Sequence, residues 1–283
     1  MLTSRQRAQP LVEKMLGRAP LCPWACVAVP LDPRSLGVYP PRQTVRTLEI
    51  EGRLKLLEFG GKHRFWFPEV MNVSAELWSE YLVAFWHHPN NFHQYLRGGV
   101  RFQADDVILD AGACEGFYTR LALDAGVSRV ICVEPSSIMV DCLRATFETE
   151  IRDGRVIIVP SALGSFCGSA GFASADGEAF AGHFSSHSPD SVKVTTLAEL
   201  AQAHGTPTFI KMDLEGSEYQ ALAGGTELLK ETRPKLGITT YHNPWDYAVI
   251  SSFLKGIGYR TVKPYGVTLR GGTCPRPVMV HAW

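Results

Sequence analysis

A rhythm restricts this chain more than any single residue does. From about residue 105, short apolar runs alternate with stretches of helical periodicity, and nearly every run gives way to an acidic or polar residue at a turn. Val107-Ile108-Leu109 leads into Asp110, and Arg129–Val133 ends at Glu134-Pro135. Val156–Val159 follows, then Thr208–Met212 ending at Asp213, then Leu236–Thr240 ending at Tyr241-His242. Between them, residues such as Ile250, Phe253, Leu254 and Ile257 fall on one helical face. Strands that alternate with helices pair in parallel through right-handed crossovers. The expected fold is α/β: a doubly wound, mostly parallel, seven-stranded Rossmann-like sheet, completed by strands near 259–263 and 277–282. Such sheets bind ligands where their strands end. Asp110, Glu134, Asp213 and His242 are therefore the informative positions.

Local signals punctuate the pattern. Gly126 and Gly258 read as helix stops. Ser136 or Ser137 reads as a cap for the next helix, and Asn243 followed by Pro244 as a helix start. Residues 164–188, rich in Gly, Ser and Ala, read as a hairpin plus a mobile loop. The first hundred residues differ from the rest. Six prolines crowd residues 20–42, residues 44–68 read as short strands, and residues 74–96 read as helix. Trp78, Tyr81, Leu82 and Phe85 make a helical stripe that suits core packing. The expected organisation is an N-terminal β/α extension over residues 1–100 and a ligand-binding domain over 101–283.

Composition excludes several classes. Lys plus Arg and Asp plus Glu both total 28, so no net charge draws the chain to a phosphate backbone, and no nucleic-acid partner is expected. No apolar run approaches the ~20 residues of a membrane span, and the N-terminus lacks a secretory layout. Of the seven cysteines none forms a C-x-x-C pair, and Cys132 and Cys142 sit in apolar patterns, so a cytoplasmic protein with reduced thiols is expected. His87, His88 and His93 cluster, as do His183 and His187, but neither spacing makes a convincing metal site. Asp213 and Glu215 could meet a hard cation, but they are read as pointing to opposite faces. No metal is expected.

The turn Asp110-Ala111-Gly112-Ala113-Cys114-Glu115-Gly116 joins a strand to a helix. It lacks the G-x-x-x-x-G-K-[ST] of a phosphate loop. Read as G-x-G-x-x-G from Gly112, it puts Cys114 and Phe117 where glycines belong, which disfavours a pyrophosphate. A nucleoside without phosphates fits better. S-adenosylmethionine needs a close backbone turn, which Asp110 and Gly112–Gly116 offer, and an acceptor for its ribose diol. Glu134 lies one strand–helix–strand unit after Gly112 and offers a carboxylate.

The chain resembles class I S-adenosylmethionine-dependent methyltransferases, and specifically the FkbM family, over roughly residues 100–265. The resemblance rests on Asp110–Gly116, Glu134-Pro135, Ser161-Ala162-Leu163-Gly164 and, most specifically, Ile210-Lys211-Met212-Asp213-Leu214-Glu215-Gly216-Ser217-Glu218. It implies that Asp110, Gly112, Gly116 and Glu134 hold the cofactor, with Ser161 and Ala162 near the adenine and Asp213 near the sulfonium or the acceptor. It implies an O-methyltransferase acting on a hydroxyl of a natural product or a sugar-containing metabolite. The chain departs from the family pattern at Cys114, where Asn is usual, at Ala198, where Asp is usual, and before His242, where Glu is frequent. His242, a strand-end imidazole, is the first candidate for a general base and Asp213 the second. The acceptor pocket is expected between the N-terminal segment and the 164–190 loop, with Phe65, Trp66, Trp78, Phe180, Phe184, Trp245 and Tyr247 as candidate walls. Two other readings stay open: a non-methylating use of the same cofactor, such as cyclisation of its methionine chain, and a non-catalytic binding protein. A homodimer also stays open.

Overall fold

The computed structural model describes residues 4–19, 21–28, 45–73, 75–88, 91–174, 182–184, 190–268 and 275–283. The N-terminal part contains α1 (Ser4–Met15), α2 (Trp24–Ala28), strands β1 (Val45–Glu51), β2 (Leu54–Phe59) and β3 (His63–Pro68), and α3 (Ala75–Phe85). Next come β4 (Val107–Ala111), α4 (Phe117–Asp124), β5 (Arg129–Val133), α5 (Ser137–Thr146), α6 (Glu148–Arg152) and β6 (Val156–Val159). A second run holds β7 (Ala162–Leu163), β8 (Gly168–Ser174), β9 (Gly182–Phe184), β10 (Ser191–Thr195) and α7 (Leu197–His204). The chain finishes with β11 (Phe209–Met212), α8 (Glu218–Ala223), α9 (Thr226–Thr232), β12 (Lys235–Thr239), α10 (Asp246–Gly256), β13 (Val262–Tyr265) and β14 (Met279–Ala282).

Seven strands form the main sheet in the order β13-β14-β12-β11-β4-β5-β6. Only β14 runs opposite to the other six strands. The expected doubly wound, mostly parallel sheet is present. Its central strands are apolar almost throughout because helices cover both faces: β11 is buried at every position, and β4, β5 and β12 at all but the first. The winding reverses between β4 and β11, so the crevice of this fold opens above Asp110 and Asp213.

The N-terminal strands form a separate antiparallel sheet, β1-β2-β3, that docks on α4 and α5. Phe59, Phe65 and Tyr81 surround Phe117, with ring centroids 5.3, 4.8 and 5.6 Å away. The Trp66 amide donates to Thr146 Oγ1 at 2.9 Å. The stripe of α3 belongs to this shared core, as its spacing implied. Phe65 and Trp78 are buried in that core, while Trp245 is exposed. Phe180 and the side chain of Phe184 lie outside the described residues, as do His187 and the side chain of His183.

Three boundaries differ from the sequence reading. The helix expected over 74–96 ends at Phe85. Pro89 disfavours helical backbone at His88, and Asn91 Nδ2 then ties the chain back to the Val83 and Trp86 carbonyls at 3.0 and 2.9 Å. Helix α10 begins at Asp246 rather than Pro244, because the Asp246 carboxylate reaches back to the Asn243 amide at 2.7 Å. The hairpin within 164–188 is present as β8 and β9, and β10, not anticipated, joins β8 to β7. Residues 175–181 and 185–189, where a mobile loop was expected, lie outside the described residues.

Candidate cofactor and acceptor site

The turn after β4 is built from beneath. Gly112 has φ +75, and a Cβ there would collide with the Asp213 carbonyl oxygen. Gly116 has φ +77, and a Cβ there would stand 2.5 Å from the Phe147 ring and 2.9 Å from Leu143. Both glycines therefore let the chain pack on itself: one seats the turn on the end of β11, the other seats α4 on α5. Cys114, at φ +46, takes a left-handed conformation that Asn tolerates better. That is one physical reason for Asn at this position in the family pattern.

Asp110 is fully buried. Its Oδ2 accepts from Thr119 Oγ1 at 2.6 Å, and its Oδ1 lies 3.0 Å from Lys211 Nζ. Lys211 also donates to the Gly112 carbonyl. Burial disfavours the Lys211 ammonium, but the charges of Asp110 and then Asp213 outweigh burial and raise its pKa. Asp110 thus faces Lys211 under the turn, and its carboxylate is closed to solvent.

Glu134 stands on the far side of the turn. Its Oε2 accepts from the Cys114 amide at 3.0 Å and its Oε1 from the Ser136 amide at 2.8 Å. Ser136 is the residue before α5, and its backbone rather than its hydroxyl meets the acid. Each oxygen keeps lone-pair capacity for a further donor. Burial pushes Glu134 up to about 7 against the pull of those two amides. Ser161 is fully buried, and its hydroxyl has no hydrogen-bond partner. Buried Ala162 follows it at the start of β7. A free carboxylate edge and an orphaned buried hydroxyl fit a nucleoside that brings a diol and a heterocycle.

Asp213 gathers the second cluster. Tyr95 Oη donates to its Oδ2 at 2.7 Å, and Thr239 Oγ1 donates to its Oδ1 at 3.1 Å. His93 Nε2 lies 3.4 Å from Oδ2, and His242 Nε2 lies 3.5 Å from Oδ1. Burial would raise the Asp213 pKa, but His93, His242 and Lys211 hold it well below the usual carboxylate range. His242 Nε2 also faces Glu215 at 3.3 Å, and its Nδ1 faces Glu218 at 3.0 Å. Burial lowers the His242 pKa, yet these acids raise it to about 10.

Asp213 and Glu215 do not point apart. They lie past the end of β11, and Glu215, at φ +50, turns back toward His242. Asp213, Glu215 and His242 lie close enough to share one ion. Glu218 accepts from the Leu214 amide at 2.8 Å, so it fixes the turn as well as the helix start.

Several participants escaped the sequence reading. Lys211 had a legible signal, since a lysine inside a buried strand needs a partner. Tyr95 had none, because it sits in a segment read as helix, and His93 reads there only as one of a histidine cluster. Gly237 of β12 makes room for that segment: a Cβ there would stand 2.8 Å from the Tyr95 carbonyl oxygen. His281 Nε2 lies 2.7 Å from the Gln94 carbonyl oxygen. Burial lowers the His281 pKa to about 4, so the ring is neutral and donates from Nε2. His87 and His88 do not join the Asp213 cluster.

The sequence family described as the methyltransferase FkbM domain matches residues 110–261, more than half of the chain. A search of curated proteins finds no significant match. Among solved structures, a methyltransferase FkbM from Methylobacillus flagellatus KT is 22% identical, with a TM-score of 0.52 over 67% of this chain. The match spans 46% of that protein, so the chain covers less than half of it. TYW2 from M. jannaschii, solved in complex with AdoMet, is 13% identical, with a TM-score of 0.45 over 83% of this chain and 87% of its own. The family match falls on more than half of the chain, including the turn after β4, Glu134, Asp213, Glu215, Glu218 and His242, and on that ground the chain belongs to the FkbM family of S-adenosylmethionine-dependent methyltransferases.

Proposed function

We propose that this chain transfers the methyl group of S-adenosylmethionine to a hydroxyl oxygen of a small molecule, a natural product or a sugar-containing metabolite, in the cytoplasm. One observation carries the reading. Asp213, an ionised carboxylate with 21% of its side chain accessible, ends the strand beside the cofactor turn and is surrounded by proton-bearing groups.

In this reading Glu134 accepts the ribose hydroxyls, Ser161 and Ala162 flank the base, and Gly112, Gly116 and Asp110 shape the turn. The bound sulfonium supplies an already activated methyl group. The chain's work is then mainly alignment, which can contribute about 7–11 kcal/mol. Removing the acceptor's proton adds roughly 10²–10⁴-fold. His242 and Asp213 divide the charge. With its pKa raised to about 10, His242 is an imidazolium near neutral pH and cannot take a proton. It keeps Asp213 ionised, and Asp213 faces the acceptor side. Of the two base candidates, His242 is already protonated, and Asp213, with its pKa held low, accepts a proton only weakly. Among the described residues no helix is long and apolar enough to cross a membrane, and the balanced charge favours a small acceptor over a nucleic acid.

The test is to incubate the protein with S-adenosylmethionine and a panel of hydroxylated small molecules, and to follow both products by mass spectrometry. S-adenosylhomocysteine with an acceptor heavier by one methyl group supports the reading. Methylthioadenosine points to cyclisation instead, and tight cofactor binding without either product points to a binding protein.

A further inference from the structure

The segment after α3 is held with more care than a connection needs. Asn91 anchors its start on the end of α3, with Oδ1 accepting from the His93 amide at 3.1 Å. His281 holds the Gln94 carbonyl from β14, and Gly237 leaves space for the Tyr95 backbone on β12. Tyr95 packs on Tyr118 at 5.1 Å, and the His93 ring meets Tyr241 edge-on at 5.2 Å. All these contacts fix where the His93 imidazole stands.

The hydrogen bonds fix its tautomer too. Tyr95 has one hydroxyl proton, and it points to Asp213 Oδ2 at 2.7 Å. Burial and then Asp213 raise the Tyr95 pKa, so that proton stays in place. His93 Nε2 lies 3.2 Å from the same Tyr95 oxygen, which can only accept there. His93 Nε2 therefore carries the hydrogen, directed at Tyr95 and Asp213, and in the neutral ring Nδ1 is left with the lone pair. Of the two imidazoles beside Asp213, His93 is the accessible one, at 17% against 5% for His242.

We propose that His93, supplied by the N-terminal extension, is the catalytic base for the acceptor hydroxyl, with Tyr95 and Asp213 as its positioning residues. The proposal rests on the O-methyl transfer reading above. The hydroxyl oxygen forms a bond to the methyl carbon as the carbon–sulfur bond breaks, and the sulfur keeps that electron pair as a thioether. The hydroxyl proton passes to His93 Nδ1. The resulting imidazolium is stabilised by Asp213 through Nε2–H, as in other base–carboxylate pairs.

Two measurements test this. The first needs no acceptor: long-range nitrogen–proton correlation spectra of protein labelled with ¹⁵N-histidine, at mildly alkaline pH. Wild type should show His93 as the Nε2–H tautomer, and Tyr95→Phe should shift it toward a mixture. A wild-type Nδ1–H tautomer overturns the proposal. The second is turnover on an acceptor found in the panel. His93→Gln should lower kcat by about 10²-fold or more and leave the cofactor Kd unchanged. Wild-type turnover in His93→Gln overturns the proposal and leaves methyl transfer standing. An absence of any methylated product in wild type counts against the transfer reading, while the tautomer still decides the geometry of His93.

Discussion

Replacing Gly112 by alanine is the sharpest test of how the turn after β4 is made. Two costs separate cleanly. The first is conformational: Gly112 has φ +75, where an L-residue costs about 1–2 kcal/mol. Against that, alanine restricts the unfolded chain and returns about 0.4–1 kcal/mol. The second is steric. The new Cβ would meet the Asp213 carbonyl oxygen and stand 3.1 Å from its carbonyl carbon, both backbone atoms that cannot rotate away. Overpacking of this kind costs about 1–3 kcal/mol. Gly126→Ala is the control, because Gly126 has φ +81 and nothing within 4 Å of its would-be Cβ. Urea unfolding should place Gly126→Ala within about 1 kcal/mol of wild type and Gly112→Ala about 2–4 kcal/mol below it. Calorimetry should show cofactor binding weakened in Gly112→Ala alone, since relief of the collision moves the turn away from Asp213. Equal losses in the two variants would refute the claim that Gly112 exists to seat the turn on β11.

Further outcomes follow from the same geometry. Lys211→Met strands the buried Asp110 carboxylate and should cost about 3–5 kcal/mol in urea unfolding, whereas Asp110→Asn with Lys211→Met should cost less than the two single losses added. Glu134 accepts sugar hydroxyls best as a carboxylate and is pushed up to about 7, so cofactor affinity by calorimetry should fall as pH drops through about 7; Glu134→Gln should weaken binding and flatten that dependence, and an unchanged slope would remove Glu134 from the site. Gly237→Ala should lift the 91–97 segment off β12 and lower kcat without changing cofactor Kd. A variant with normal turnover would show that the segment does not position the chemistry.

The main sheet was legible because its period is redundant. Each central strand is a buried apolar run closed by a polar residue, and β5 and β6 begin and end where the sequence pattern put them. The strand-end acids were legible for the same reason. What lay hidden were contacts between segments far apart in the chain. Asp110 read as a ligand group, yet Lys211, 101 positions later, occupies its carboxylate. The glycines read as clearance for a ligand, yet they clear Asp213 and Phe147. Asp213 and Glu215 read as opposed, although positions two apart on a strand share a face, and the turn past β11, with its positive φ at Glu215, brings them together. Tyr95, and the place of His93 beside Asp213, were concealed by a helix expected to run to 96, whose end is tied down by Asn91 rather than set by periodicity.

A crystal structure of the protein with S-adenosylhomocysteine bound tests the central claim most directly. The ribose hydroxyls should lie within hydrogen-bond distance of Glu134, the adenine beside Ser161 and Ala162, and the sulfur on the Asp213 side of the turn. A nucleoside seated away from Glu134, or a sulfur facing away from Asp213, would contradict the account.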